Sequence, residues 1–336
     1  MLHIRKWLLR FFIFTTLLAL AALVGIGWLG AERLISPPRR GLQDYHQEIL
    51  ADPARFGLEV TTFHSAAATP CLMVTPAESP GAAYKARQIR TALRKRGVHV
   101  HPWGEIRGTV ILLHGHSGRK EDHLPICERF CAAGFRCLLP DLPAHGDHPS
   151  AIATFGKNES QLIEAILDDA EVTFGFAKQP AFLFGISQGG AIALQTAALD
   201  PQRWIAVASA AAFSSLDRPI RKSAENFHRH LRPLAPINTF AVACGAWCRG
   251  GMWPADISPQ HSAQHLTMPV MIIHGENDHF IPIEQGRQIF EAIPSEQKRF
   301  RPVRNAGHGR VLAEDAGNLY PEICEFFLSS LTPSTP

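Results

Sequence analysis

The sequence has almost no excess of charge of either sign. Its 336 residues include 33 Lys and Arg against 30 Asp and Glu, which leaves a formal net charge of +3. Proteins that bind nucleic acid usually carry clustered basic residues or a recognisable binding motif, and this sequence has no such motif. The sequence therefore predicts no nucleic-acid partner.

The sequence also lacks the cysteine pattern of a disulfide framework. Its seven cysteines are an odd number spread along a long chain. The pairs Cys127/Cys131 and Cys244/Cys248 have the spacing of one helix face, where a disulfide bridge is geometrically unusual. We expect most of the thiols to be buried in the core, and a bridge between distant cysteines stays an alternative.

Long uncharged runs are absent except near the N-terminus. From Phe11 to Ala31 the chain has no charged residue, and about 20 apolar residues suffice to cross the hydrocarbon core of a bilayer. Trp7 and Trp28 lie near the two ends of this run, and tryptophan favours the membrane interface. We predict that residues 1–31 form a single-pass membrane anchor.

The charges beside the run predict its orientation. Arg5, Lys6 and Arg10 precede it, and such residues tend to stay in the cytoplasm. We therefore expect a cytoplasmic N-terminus with the body of the protein outside, although three arginines after the run oppose this orientation. Secretion after cleavage of a signal sequence is the alternative, with a poor cleavage site around Gly30–Ala31.

After the anchor the chain alternates between strand and helix patterns. Two consecutive prolines, Pro37 and Pro38, predict a linker, and we assign residues 32–54 to this linker and a lead-in helix. Between residues 55 and 331 the alternation is typical of a parallel β-sheet covered by helices on both faces. The alternation is interrupted at about residues 213–266, and we predict that this segment is an inserted helical lid. Residues 332–336 form a tail.

One stretch has the pattern of a strand that turns sharply into a helix. An apolar run from Ala181 ends in Gly185-Ile-Ser187-Gln-Gly189, and an Ala/Leu-rich helical pattern follows. The glycines keep side chains out of the crowded approach of strand and helix. We predict that Ser187 is a nucleophile and that the backbone N–H of Gln188 belongs to an oxyanion hole, because it lies at a helix N-terminus.

Two later strand ends offer partners for this serine. Asp278 follows one apolar run and His308 follows the last strand pattern, and loops after parallel strands meet at the same edge of a sheet. The order serine, aspartate, histidine is that of a nucleophile, an acid and a base. We predict a catalytic triad of Ser187, Asp278 and His308, with Asp217 as the alternative acid.

The loop after the strand Thr109–Leu113 has the sequence His114-Gly115-His116. We expect its backbone N–H at His116 to complete the oxyanion hole with that of Gln188. A metal cluster that also includes Asp122 and His123 is the competing interpretation. We do not favour it, because the oxyanion loop already accounts for His114-Gly115, and we expect no metal.

Five sequence blocks, in this order, resemble the α/β-hydrolase superfamily, and within it the serine hydrolases with a short helical lid. The blocks are Leu113–Gly118, Asp141–Gly146, Gly185–Gly189, Pro269–Asp278 and Gly307-His308. The resemblance covers about residues 55–331 and implies an α/β fold with an eight-stranded, mostly parallel sheet and a Ser/His/Asp triad. Ala144 departs from the glycine usual at its position.

The resemblance and the predicted triad together indicate an enzyme. We expect a hydrolase that cleaves carboxylic esters or related acyl compounds through an acyl-serine intermediate, with a small-molecule acyl ester as substrate and no cofactor. A peptidase or thioesterase on the same scaffold is one alternative. A non-catalytic binding protein with the same fold is the other.

Overall fold

The computed structural model describes residues 2–65, 68–177, 180–227 and 229–331. The predicted tail, residues 332–336, lies outside the described residues. Eight strands form within them, namely β1 (Leu58–His64), β2 (Pro70–Pro76), β3 (Gly108–Leu113), β4 (Phe135–Pro140), β5 (Ala181–Ile186), β6 (Ala206–Ala210), β7 (Val270–Gly275) and β8 (Lys298–Val303).

Helices surround these strands and fill the connections. They are α1 (Leu2–Ile35), α2 (Asp44–Ala51), α3 (Tyr84–Lys95), α4 (Leu124–Ala132), α5 (Glu159–Phe174), α6 (Gln188–Leu199), α7 (Asp217–Phe227), α8 (Ala235–Gly250), α9 (Pro259–Ala263), α10 (Ile283–Ala292) and α11 (Ala316–Ser329). Short 3₁₀ turns, such as Lys120–His123 before α4, lie between some of them.

All eight strands pair into one sheet in the order β1-β2-β4-β3-β5-β6-β7-β8. Strand β2 runs antiparallel to both β1 and β4. Every pair from β4 to β8 is parallel. The predicted eight-stranded, mostly parallel sheet is therefore confirmed.

The core lies on both faces of this sheet. In β3, Val110 and Leu112 belong to one buried cluster, whereas Ile111 and Leu113 belong to the other. The first cluster includes residues of α3, α4 and α11, and the second includes residues of α5, α6 and α10. Because both faces are covered, a central strand of this sheet is apolar at nearly every position.

The insertion between β6 and β7 is helical, as predicted. Within its described residues α7, α8 and α9 alternate with 3₁₀ turns, and no strand forms there. Helix α8 is the longest of the three. It packs along the C-terminal part of α1.

Helix α1 extends beyond the predicted anchor. It ends at Ile35 rather than near residue 31, so the first residues of the predicted linker are helical. Ala31 and Ile35 are completely buried in the hydrophobic core, whereas the helix is exposed from His3 to Ala22. It is long and apolar enough to cross a membrane. The apolar helix and the folded domain therefore overlap at the last turns of α1.

The cysteines are free thiols, and five of the seven are buried. The structure thus forms none of the long-range bridges that the sequence left as an alternative. Burial raises the pKa of Cys71 to about 12 and that of Cys324 above its ordinary range. Such thiols stay protonated and unreactive, which agrees with their expected place in the core.

We predict that Phe327→Ala destabilises the fold by about 3–5 kcal/mol, because a large side chain is removed from a packed core. The Phe327 ring is fully buried, and its centroid lies 4.9 Å from that of Phe182. Denaturant unfolding of the protein in detergent micelles measures the loss. Val172→Ala is the matched control, since Val172 is 86% exposed. Equal effects of the two substitutions would contradict the assigned core.

Candidate active site

Ser187 occupies a strained turn between β5 and α6. Its backbone has φ 54° and ψ −115°, a conformation that residues with a side chain rarely adopt. The Ser187 N–H donates to the carbonyl of Ala210 on the neighbouring strand at 2.8 Å. The turn lifts the side chain above the carboxyl edge of the sheet, as the Gly-x-Ser-x-Gly pattern predicts.

Three glycines allow the chain to pack this closely. A Cβ atom on Gly185 would overlap the carbonyl of Gly189, and one on Gly189 would overlap the carbonyl of Leu113. A Cβ atom on Gly190 would lie 2.8 Å from Ser209 Oγ on β6. The prediction that these glycines keep side chains out of the strand–helix approach is confirmed.

The side chains of Ser187, His308 and Asp278 form a continuous hydrogen-bonded row. Ser187 Oγ lies 2.9 Å from His308 Nε2, and His308 Nδ1 lies 2.7 Å from Asp278 Oδ2. The three residues are far apart in sequence but follow β5, β8 and β7, which are close neighbours in the sheet. This geometry suits proton transfer from the hydroxyl to the imidazole.

Asp278 is held rigidly behind the histidine. Its side chain is fully buried, and its other oxygen, Oδ1, accepts hydrogen bonds from the N–H groups of Phe280 at 3.0 Å and Ile281 at 2.8 Å. These bonds compensate for the burial of a carboxylate. The alternative acid, Asp217, begins helix α7 and accepts a hydrogen bond from Ser215. The structure therefore brings Asp278 to His308.

The two predicted oxyanion donors belong to the segments next to Ser187, the start of α6 and the loop after β3. Gln188 is the first residue of α6, and Gly115 is so close that a Cβ atom on it would lie 3.6 Å from Ser187 Cβ. Within the described residues, neither Gln188 N–H nor His116 N–H donates to a protein carbonyl.

Two further ring contacts, of His116 with α1 and of His308 with Phe280, were not predicted from the sequence. His116 Nε2 donates to the carbonyl of Leu34, in the last turn of α1, at 2.9 Å. The Phe280 ring meets the His308 ring edge-on at a centroid distance of 5.3 Å. Phe280 lies two residues after Asp278, so its contact with His308 could have been predicted from the sequence. No local sequence pattern predicts the contact between Leu34 and His116.

Comparison with known proteins identifies the family of this fold. The model of the Alpha/beta hydrolase family matches residues 110–320, which is more than half of the chain. This chain belongs to the alpha/beta hydrolase family. The matched region contains Ser187, Asp278 and His308, and it also contains the helical insertion.

Two curated relatives are similar to this alpha/beta hydrolase. A thermostable monoacylglycerol lipase of Bacillus sp. (strain H-257) is 24% identical over 236 residues, which cover 65% of this chain and 89% of the relative. A monoacylglycerol lipase of Mycolicibacterium smegmatis is 24% identical over 222 residues, covering 56% of this chain and 77% of the relative.

A solved structure supports the same fold. An esterase of Pyrococcus furiosus superposes with a TM-score of 0.62 over 89% of this chain and 98% of its own, at 15% identity. This similarity concerns the architecture of the alpha/beta hydrolase domain. The N-terminal helix lies outside the residues that the family model matches.

Three buried histidines surround the loop beside Ser187 in this alpha/beta hydrolase. Burial lowers the pKa of His114 and of His145 to about 3, and that of His123 to about 4. His114 Nε2 accepts a hydrogen bond from Leu142 N–H at 3.0 Å, so its ring is a neutral structural support. The described residues contain no group of three His, Cys, Asp or Glu side chains that could hold a metal ion.

Carboxylates in the neighbouring loops bind backbone N–H groups. Buried Asp141 accepts hydrogen bonds from Lys120 N–H at 2.8 Å and from Asp147 N–H at 2.9 Å. Glu159 accepts from the N–H groups of Thr154 and Gly156. These contacts fix the loops that follow β3 and β4 beside the site.

We predict that acid destabilises the domain through the buried histidines. In the unfolded chain they bind protons below about pH 6.5, but in the folded chain only near pH 3 to 4. Stability is therefore lost as the pH falls through this window, by about 2 kcal/mol for each histidine at pH 5. Denaturant unfolding at pH 7 and pH 5 measures the loss.

The variant His123→Gln tests the contribution of one ring. It should reduce the difference in unfolding free energy between pH 7 and pH 5 by about 2 kcal/mol, because glutamine does not titrate. The matched control is His261→Gln, since His261 is exposed. An unchanged difference in the His123 variant would contradict the neutral, buried state of that ring.

Proposed function

We propose that this chain is a membrane-anchored serine hydrolase that cleaves carboxylic esters through an acyl-serine intermediate. The observation that carries the proposal is the row formed by Ser187 Oγ, the two ring nitrogens of His308 and Asp278 Oδ2, with distances of 2.9 Å and 2.7 Å. In this proposal Ser187 is the nucleophile, His308 the general base and acid, and Asp278 the carboxylate that orients the histidine.

The reaction has two halves. Ser187 Oγ attacks the carbonyl carbon of the ester and passes its proton to His308 Nε2, and His308 then gives this proton to the leaving alcohol. A water molecule next attacks the acyl-serine, again through His308, and releases the carboxylic acid. Asp278 accepts a hydrogen bond from His308 Nδ1–H throughout and stabilises the imidazolium.

A negative charge forms on the substrate carbonyl oxygen during the attack, and hydrogen-bond donors are needed to stabilise it. We propose that the backbone N–H groups of Gln188 and His116 supply them. The positive end of the α6 dipole adds to the attraction at Gln188. The strained turn at Ser187 holds the Gln188 donor in place before substrate binds, so little reorganisation is needed there during the reaction.

The choice of ester as substrate is supported by similar proteins. Two curated relatives are named monoacylglycerol lipases, and a structural neighbour is named an esterase. A peptidase or thioesterase would use the same three side chains, and a non-catalytic protein would need none of them. Hydrolysis rates on matched chromogenic esters, thioesters and peptides distinguish these alternatives.

We propose that α1 stays on the mature protein as a membrane anchor, with a cytoplasmic N-terminus and the hydrolase domain outside. Cleavage near Gly30–Ala31 would remove most of the helix and expose the surface of α8 against which it packs. Gly27 is buried and Gly30 packs directly on Val242 of α8, and cleavage would remove both glycines, which favours a retained helix. Arg5, Lys6 and Arg10 precede the uncharged run and favour the stated orientation.

We predict that a fluorophosphonate probe labels the wild-type protein in membranes and does not label Ser187→Ala. The probe forms a covalent bond with an activated serine, and Ser187 Oγ is the atom that His308 activates in this proposal. Gel fluorescence of the labelled membranes is the measurement. Ser215→Ala serves as a control for loss of another hydroxyl. A folded wild-type protein that is not labelled would favour the non-catalytic alternative.

A second prediction concerns the acid. Asp278→Ala should lower kcat on a soluble ester by about 10³-fold to 10⁴-fold, because the histidine loses its orienting partner. Asp217→Ala should leave kcat nearly unchanged, since Asp217 contacts Ser215 rather than His308. Steady-state kinetics of both purified variants measure this. The reverse ranking would reassign the acid.

A further inference from the structure

Helix α8 of the insertion packs unusually closely against the end of α1. A Cβ atom on Gly27 would lie 2.6 Å from the carbonyl oxygen of Ala241, and one on Gly245 would lie 2.5 Å from the carbonyl oxygen of Gly27. A Cβ atom on Gly30 would lie 2.5 Å from a methyl carbon of Val242. The two backbones approach so closely only because glycines line the crossing.

The outward side of the same segment is apolar. The chain has no charged residue from Leu234 to Cys248. We call the four large exposed hydrophobic side chains of this segment the α8 apolar face. Leu234 is 45% exposed, Ile237 50%, Phe240 60% and Trp247 60%. Four large hydrophobic side chains grouped on one surface are unusual in a protein surrounded only by water.

The crossing lies at one end of the predicted membrane span. The uncharged run begins after Arg10, and about 20 residues are needed to cross the hydrocarbon core, which brings the chain to Gly30. Helix α8 crosses α1 between Gly27 and Ala31. If α1 spans the bilayer, α8 therefore lies at the depth of the outer bilayer surface.

Charged residues bracket the α8 apolar face, as is usual at a membrane interface. Arg232 is exposed before α8, and Arg249 lies near its C-terminal end. Arg249 forms an ion pair with Glu32 and lies over the Trp28 ring, 4.6 Å from its centroid. Tryptophan and arginine both favour the headgroup region, so this end of the helix pair fits the boundary between lipid and water.

The end of α1 contacts the same edge of the sheet that carries Ser187. The Leu34 carbonyl accepts from His116 Nε2 at 2.9 Å, and the Ile35 carbonyl accepts from Ala153 N–H at 2.7 Å. Ser36 Oγ donates to the carbonyl of Ala151 at 2.6 Å. These partners follow the carboxyl ends of β3 and β4. The membrane helix thus reaches the domain on the side of the candidate active site.

We infer that the α8 apolar face lies in the outer surface of the bilayer that α1 crosses, so that the carboxyl edge of the sheet faces the membrane. The domain is then held by two contacts, the span of α1 and the inserted face of α8. The occupant of this face is lipid, since it continues the apolar surface of α1. The substrates are then amphiphilic esters dissolved in the bilayer, an inference that rests on the proposed function.

The depth of α8 can be measured with nitroxide labels on the full-length chain. Phe240→Cys is made with Cys244→Ser and Cys248→Ser, because the other five cysteines are buried and do not react. The labelled protein is reconstituted in phosphatidylcholine vesicles. Oxygen dissolves in lipid, whereas the added nickel complex is soluble in water. We expect oxygen to increase the relaxation rate of the nitroxide at residue 240 more than the nickel complex does.

Val172→Cys in the same background is the matched control. Val172 is 86% exposed and lies near the end of α5 that leads to the start of β5, at the edge of the sheet opposite Ser187, so its label should respond more to the nickel complex. The same response at residues 240 and 172 would overturn the inference. Dipolar broadening between labels at residue 240 of two molecules would also overturn it, by identifying a second copy of the chain as the occupant.

A kinetic measurement tests the substrate class. The double variant Phe240→Ser, Trp247→Ser should lose about tenfold or more in turnover of a long-chain ester dissolved in vesicles, which corresponds to about 1.4 kcal/mol. It should keep wild-type kcat/KM on a soluble short-chain ester. Equal losses on both esters would overturn the substrate inference.

The labels distinguish failure of this inference from failure of the proposed function, because they need no turnover. A lipid-exposed residue 240 in a protein without esterase activity would reject the proposed hydrolysis alone. A water-exposed residue 240 in an active esterase would reject the membrane placement alone.

Discussion

The close approach of α6 to the edge of β3 is the constraint on which the candidate site depends. Gly189 faces the carbonyl of Leu113 with no room for a side chain. The turn before it is therefore tight, and Ser187 adopts a positive φ of 54°. This packing contact raises the serine above the sheet, points the N-terminus of α6 at it and brings the loop after β3 beside it.

Much of this arrangement was predictable because its determinants are local in sequence. A strand that ends in Gly-x-Ser-x-Gly and continues as a helix has few other ways to fold. Asp278 and His308 also follow strand patterns directly, and parallel strands gather the residues after their carboxyl ends at one edge. The long separation of the three residues in the chain therefore does not hide their proximity.

Other features had no local signature. The sequence predicted a linker from residue 32, but α1 continues to Ile35 because Ala31 and Ile35 become buried in the core. Nothing in the apolar run indicated that Gly27 and Gly30 face α8, since glycine is frequent in membrane helices. The contact depends on Gly245, more than 200 residues away, and only the folded chain brings the two surfaces together.

Ala144 illustrates a departure whose consequence needed the structure. The family usually has glycine there. The residue has a positive φ of 69°, with its N–H donating to the carbonyl of Ser150 at 3.0 Å. The loop therefore retains a conformation suited to glycine, and the alanine carries strain of about 1 kcal/mol.

The way α1 ends links this apolar helix to the loops beside the candidate site. A helix leaves its last four carbonyls without partners inside the helix. Here Leu34 and Ile35 find partners in His116 and Ala153, which belong to loops beside the candidate site. Burial lowers the pKa of His116, so its ring stays neutral and donates through Nε2. Because these bonds and the α8 crossing leave no flexible joint, the orientation of α1 also sets the orientation of the domain and of the edge that carries Ser187.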